Sequence, residues 1–173
     1  MRSNLSKRLL ALLLCAVMVA AVFVAVIPVH AASDVSIQNG TGNREPIRVG
    51  QSFSYRADVK YTFSGFGFHM PTWEKKDSYA TLYLYKWQGS FEATVASAPI
   101  ASKKFDPLTD GQCHWVTFDP QPAGEYLFHI ADACYDAGVW TNTSPMNSKG
   151  FLYLDGKEQR GEPELRIRFT ESV

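Results

Sequence analysis

Apolar and polar positions alternate with a period of two along residues 123–131, AGEYLFHIA. Tyr126, Phe128 and Ile130 fall on one face, and Leu127, His129 and Ala131 on the other. Both rows are largely apolar, which predicts a strand in the middle of a sheet, covered on both sides. Asp132, Tyr135, Asp136 and Gly138 follow as a polar turn that closes on Gly138-Val139-Trp140. A second strong alternation spans residues 80–87, with Leu82 and Leu84 on one face and Tyr83, Tyr85 and Trp87 on the other.

Weaker alternations predict strands at residues 34–37, 52–56, 61–70, 99–105, 113–118, 150–154 and 164–170. Gly65 and Gly67 stand between aromatics in the third of these segments, where glycine marks a bulge or a close backbone approach. Pro120 and Pro122 bar their stretch from pairing as a central strand, and Asp155-Gly156 is a hairpin signal. No segment after residue 31 has a 3.6-residue apolar period. The expectation is an all-β domain of about nine strands, a two-sheet antiparallel β-sandwich of jelly-roll type.

The N-terminus breaks this pattern. Arg2, Lys7 and Arg8 precede an unbroken apolar run over residues 9–27, and Val29 and Ala31 then sit at −3 and −1 of a cleavage site. These are the parts of a secretory signal peptide, residues 1–31, followed by one domain at residues 32–173. The run of 19 residues is also long enough to span a bilayer, so an uncleaved anchor is the alternative. Either way the basic end stays inside and the domain is exported. Cys15 lies within the run behind Leu14, where a lipoprotein cysteine would need a small residue.

Charge and cysteines narrow the function. Three of the 17 basic residues precede Ala32, leaving 14 against 17 acidic ones and a net charge of −3. That is no footprint for nucleic acid, which calls for a basic face; the membrane is a partner only if the leading segment is retained. Cys113 and Cys134 would meet an oxidising compartment. A bridge between them would close a loop of about 20 residues, with two buried free thiols as the alternative.

Catalytic motifs are missing: the chain has no Gly-x-Ser-x-Gly elbow, His-Glu-x-x-His helix or phosphate-cradling glycine loop. His69, His114 and His129 read as hydrogen-bonded strand residues, and Glu74, Glu92 and Glu125 lie in separate connections. Aromatics, at 13% of the chain, are the stronger signal. Indole and phenol rings stack on the C–H faces of sugars, while amides and carboxylates take the hydroxyls. Trp73 in a polar connection, Tyr135 and Asp136 after the central strand, and Asn142 are the candidate ligand-binding residues, with Asn147 nearby and the Tyr83-Tyr85-Trp87 face as a second place. No cofactor is expected. A structural calcium ion is the one candidate metal, with Asp106, Asp110, Asp132 and Asp136 flanking two turns.

The segments TLYLYKW (81–87), PAGEYLF (122–128) and GVW (138–140) resemble the jelly-roll accessory modules, galactose-binding-like and carbohydrate-binding, of secreted multidomain bacterial proteins. The resemblance covers most of residues 51–169 and rests on structural motifs. It implies the fold and a place beside glycans, and it transfers no functional residue. The reading that follows is an exported, extracellular, non-catalytic module that binds a glycan or cell-surface polysaccharide. An extracellular protein–protein interaction domain, docking another secreted protein, is the alternative. A secreted hydrolase is third; two facing acids in a cleft, or a histidine beside a serine, would mark it.

Overall fold

The computed structural model describes residues 51–134, 136–142 and 150–170 in full, and the backbone alone of residues 33–36 and 43–47. The expectations for residues 1–31, Tyr135 and Asn147 lie outside the described residues. In chain order the elements are β1 (Ser33–Ser36), β2 (Asn43–Ile47), β3 (Phe53–Val59), β4 (Phe63–Met70), β5 (Ala80–Lys86), a one-turn helix α1 (Phe91–Val95), β6 (Ala101–Phe105), β7 (Gln112–Gln121), β8 (Gly124–Ala131), β9 (Ala137–Asn142), β10 (Gly150–Leu154), β11 (Lys157–Gln159), β12 (Glu162–Pro163) and β13 (Leu165–Phe169).

The strands form a six-stranded sheet, β11-β10-β3-β8-β5-β6, a four-stranded sheet, β1-β13-β4-β7, and a three-stranded sheet, β12-β9-β2. Every pairing is antiparallel. The protein is therefore an all-β, sandwich-like structure. The strongest sequence alternation, now β8, occupies the middle of the six-stranded sheet between β3 and β5. Its Tyr126, Phe128 and Ile130 enter the main core, while Leu127 and His129 are buried on the opposite face.

The main core is the meeting of two aromatic rows. Phe53, Tyr126 and Phe128 come from the six-stranded sheet, and Phe63, Phe66 and Phe68 from β4 of the four-stranded one. Rings meet edge-on across the gap: Phe63 and Tyr126 at 4.9 Å, Phe66 and Phe128 at 5.2 Å, Phe53 and Phe68 at 6.2 Å between centroids. Each such pair adds about 0.5–1.5 kcal/mol beyond the burial of the rings themselves. The Tyr126 hydroxyl escapes the apolar interior by donating to the Pro122 carbonyl at 2.7 Å.

Local signals behave as their chemistry requires. The β4–β7 register shifts between Phe63 and Gly65, so a bulge stands where the glycines predicted one. Asp155 and Gly156, with φ of 52° and 74°, make the two-residue turn that joins β10 to β11. Lys157 pairs with Leu154 at once, so β11 begins directly after the turn. Pro120 lies inside β7, a position open to proline because β7 is the edge of its sheet.

The expected nine strands become thirteen among the described residues. The additions are β11 and the whole three-stranded sheet. Both edges of that sheet carry a proline, Pro46 in β2 and Pro163 in β12. The polar turn expected after β8 is shorter than its residues suggested, since Gly138 and Trp140 already pair within β9. The cysteines are corrected as well. No disulfide joins Cys113 and Cys134. Cys113 belongs to β7 of the four-stranded sheet, whereas Cys134 follows β8 of the six-stranded one and its sulfur accepts the Tyr79 N–H at 3.1 Å.

Candidate functional site

Three connections gather at one end of the structure: residues 71–79 between β4 and β5, residues 106–111 between β6 and β7, and residues 132–136 between β8 and β9. Asp110 Oδ1 accepts the Thr72 N–H at 2.6 Å and its hydroxyl at 3.3 Å. The Gly111 and Leu108 amides donate to the carbonyls of Met70 and Ser78, at 3.0 and 2.7 Å. The Ser78 hydroxyl donates to the Asp136 carbonyl at 3.1 Å, and the Cys134 amide to the Tyr79 carbonyl at 3.0 Å.

Trp73 and Glu74 form the tip of the first connection. Their φ angles are 49° and 66°, and the Lys75 amide closes the turn on the Thr72 carbonyl at 3.0 Å. Left-handed backbone at two successive bulky residues costs about 1–3 kcal/mol each and persists only where surrounding bonds enforce it. Here the Thr72–Asp110 pair does so. The consequence is an indole held out in solvent, 37% exposed, on a turn with little freedom.

The other expected site residues divide. Asp136 joins the same end through its carbonyl. Asn142 does not: it ends β9, six residues further on, which at ~3.3 Å per residue is about 20 Å away. The four candidate calcium aspartates are engaged one by one. Asp106 pairs with Lys104 at 2.8 Å, Asp110 holds Thr72, Asp132 accepts the Tyr83 hydroxyl at 2.5 Å, and Asp136 is joined through its backbone. Among the described residues no group of three or more His, Cys, Asp or Glu side chains converges on a metal position.

The middle of the outward face of the six-stranded sheet, the second place considered, is covered, while Phe151 in the row of Arg56 and Leu127 stays 40% exposed. Tyr85, Leu127 and Tyr153 are buried there beneath Phe91 and Val95 of α1, with Tyr83 and Trp87 at the margin. Phe91 stacks on Tyr153 at 5.3 Å. The helix is only one turn long, so caps carry it: the Ser90 hydroxyl accepts the Ala93 amide at 3.1 Å, and buried Thr94 donates to the Ser90 carbonyl at 2.6 Å.

Under this cover Ser54 Oγ and His129 Nδ1 lie 2.7 Å apart, a serine beside a histidine. Ser54 has no exposed surface, and the imidazole is enclosed by Tyr83, Tyr85 and Phe91 at 5.8–6.2 Å. Burial lowers the His129 pKa to about 4, with the Asp132 charge opposing the shift. The ring is thus neutral and weakly basic near pH 7. A substrate carbonyl has no path to Ser54 in this structure, so the contact satisfies two buried polar groups. Burial likewise pushes the Tyr83 hydroxyl up to about 12, aided by its bond to Asp132.

The outward face of the four-stranded sheet is built differently. On β4 it carries Gly65, Gly67 and His69; on β7, Cys113, Trp115 and Thr117; on β13, Arg166 and Arg168. A Cβ added at Gly67 would come within 2.7 Å of the Cys113 sulfur and 3.1 Å of the Trp115 ring, so glycine is what lets these side chains lie down on the sheet. The Arg168 guanidinium rests over the indole, 4.5 Å from its centroid. His69 Nδ1 meets Glu164 Oε1 at 2.7 Å, while the Arg166 guanidinium stands off the same oxygen at 3.6 Å. Arg166 Nε is buried with no hydrogen-bond partner, a condition that costs about 1–3 kcal/mol. Trp115, Arg166, Arg168 and Glu164 were not singled out from sequence. The readable signal was Gly-x-Gly in one strand and Arg-x-Arg in another.

No protein-family model matches the chain, and no curated protein matches it.

Proposed function

We propose that the protein is an exported, non-catalytic, carbohydrate-binding module of jelly-roll type, acting at the cell surface or beyond it. The observation that carries this reading is Trp73, a large exposed aromatic on a strained turn pinned by Asp110. Exposed indoles fixed in place suit the apolar face of a sugar ring, because little side-chain freedom is lost on binding. Asp136, joined to the same end, supplies hydrogen-bonding groups for hydroxyls, and Tyr135 accompanies it by its place in the chain. The export reading rests on residues 1–31; removal of that segment would release the module, and its retention would tether it to the membrane. Covering of the Tyr83-Tyr85-Trp87 face by α1 weighs against protein docking there.

Tryptophan fluorescence of the exported protein, titrated with a panel of soluble polysaccharides, tests the reading. A saturable shift that Trp73→Ala removes supports it. A flat response across neutral and acidic glycans alike contradicts it.

A further inference from the structure

We propose that the outward face of the four-stranded sheet is a second binding surface, and that it takes a uronate-bearing polysaccharide. This rests on the glycan-binding reading above and adds the charge of the ligand and a separate set of residues.

Arg166, Gly67 and Trp115 stand abreast on β13, β4 and β7, and Arg168, Gly65 and Thr117 form the adjoining row. The middle strand contributes no side chain to either row. Trp115 and Arg168 lie down over that gap as a stacked pair, giving a low, flat, partly apolar surface. Two strand spacings, about 10 Å, separate the backbones that carry Arg166 and Trp115. One pyranose ring fits on such a floor, with its C–H face toward the indole–guanidinium stack and its substituent toward Arg166.

The charges select the substituent. Glu164 is the carboxylate among the described side chains here, and its short contact goes to His69. Asp34 stands in register with Arg168, whereas the residue in register with Arg166 is Ser36. Arg166 is left with a long contact to Glu164 and a side chain 39% exposed, so the end of its guanidinium, and not the buried Nε, is what a ligand meets. A planar carboxylate is the group that a guanidinium fork binds through two parallel hydrogen bonds. A carboxylate on a sugar ring joins that demand to the flat floor beside it, which is the chemistry of a uronate residue.

Calorimetric titration of the exported protein with an oligogalacturonate, and with the same oligosaccharide as its methyl ester, tests the proposal. The acid form should bind about tenfold more tightly than the ester. Added salt should erode that difference, since the contact is partly exposed. Arg166→Met should abolish the preference at a melting temperature no lower than that of the wild type, since it removes a buried unpaired nitrogen, and Arg166→Lys, keeping the charge but losing the fork, should retain only part of it. Trp73→Ala should leave the preference intact. Equal affinity for acid and ester, or a preference that survives in Arg166→Met, overturns the proposal while leaving the Trp73 reading standing. Failure of every glycan, neutral or acidic, overturns both.

Discussion

The two sheets turn opposite kinds of surface outward. The six-stranded sheet places Tyr83, Tyr85, Leu127, His129 and Tyr153 on its outer side, and the chain returns as α1 to cover them, leaving Tyr83 half-buried at the margin. The four-stranded sheet places Gly65 and Gly67 at the centre of its outer side, and one tryptophan and one arginine lie flat across them. A face with large side chains on every strand needs a cover, because so much apolar surface cannot stay in water. A face floored with glycine needs none. The first face is mostly packing; the second, like the Trp73 turn, is presentation on the reading proposed above.

The sharpest way to break this contrast is to hollow out the covered side. Leu127→Ala should destabilise the fold by about 2–5 kcal/mol, since the side chain is fully buried under α1. Thr117→Ala on the opposite face should change stability by no more than ~0.5 kcal/mol, because that residue is exposed. Urea denaturation of the two variants provides the comparison.

Protonation attacks the same cover without a mutation. His129 in the folded protein binds its proton near pH 4, below the ordinary 6.5, so the unfolded chain takes the proton more readily. Stability is therefore complete above about pH 6.5 and falls as pH drops toward 4, by about 3 kcal/mol in all. Denaturant midpoints between pH 7 and 4 should follow that slope in the wild type, and the slope should flatten in His129→Gln.

Gly67→Ala probes the uncovered face. The added Cβ would press on the Cys113 sulfur and, at 3.0 Å, on the His114 carbonyl. A loss of about 1–3 kcal/mol follows, with tryptophan fluorescence reporting displacement of Trp115. The smallest effect belongs to the helix cap: Ser90→Ala should cost about 1 kcal/mol, seen as faster hydrogen exchange in α1 with the sheets unaffected.

These two faces also show how far the sequence could be read. β8 and β5 were legible because large side chains recur at every second position, a signal that survives without knowledge of partners. The Asp155-Gly156 turn was legible because it needs a backbone that few residues adopt, and the bulge at Gly65 because glycine between aromatics weakens a regular strand. The sheet β12-β9-β2 was not, since Pro46 and Pro163 argue locally against strands and only edge placement reconciles them. Five residues of α1 are too few to display a helical period. That Cys113 and Cys134 carry no bridge was not legible either, since their sheets, the four-stranded one of β7 and the six-stranded one of β8, are set by long-range pairing. For the candidate site, the sequence showed that Trp73 lay in a polar connection; that Asp110 holds it outward is a contact across 38 residues. Arg166 and Trp115 became neighbours only through the register of β13 and β7 with β4.

Amide hydrogen exchange of the protein, with and without a saturating polysaccharide identified by titration, tests the division between packing and presenting surfaces most directly. Added protection is predicted at residues 71–79 and 106–111, and on β4 and β13 when the ligand is a uronate, with α1 unchanged. Protection confined to α1 and the sheet face beneath it would contradict the account, because the covered face would then be the one that binds.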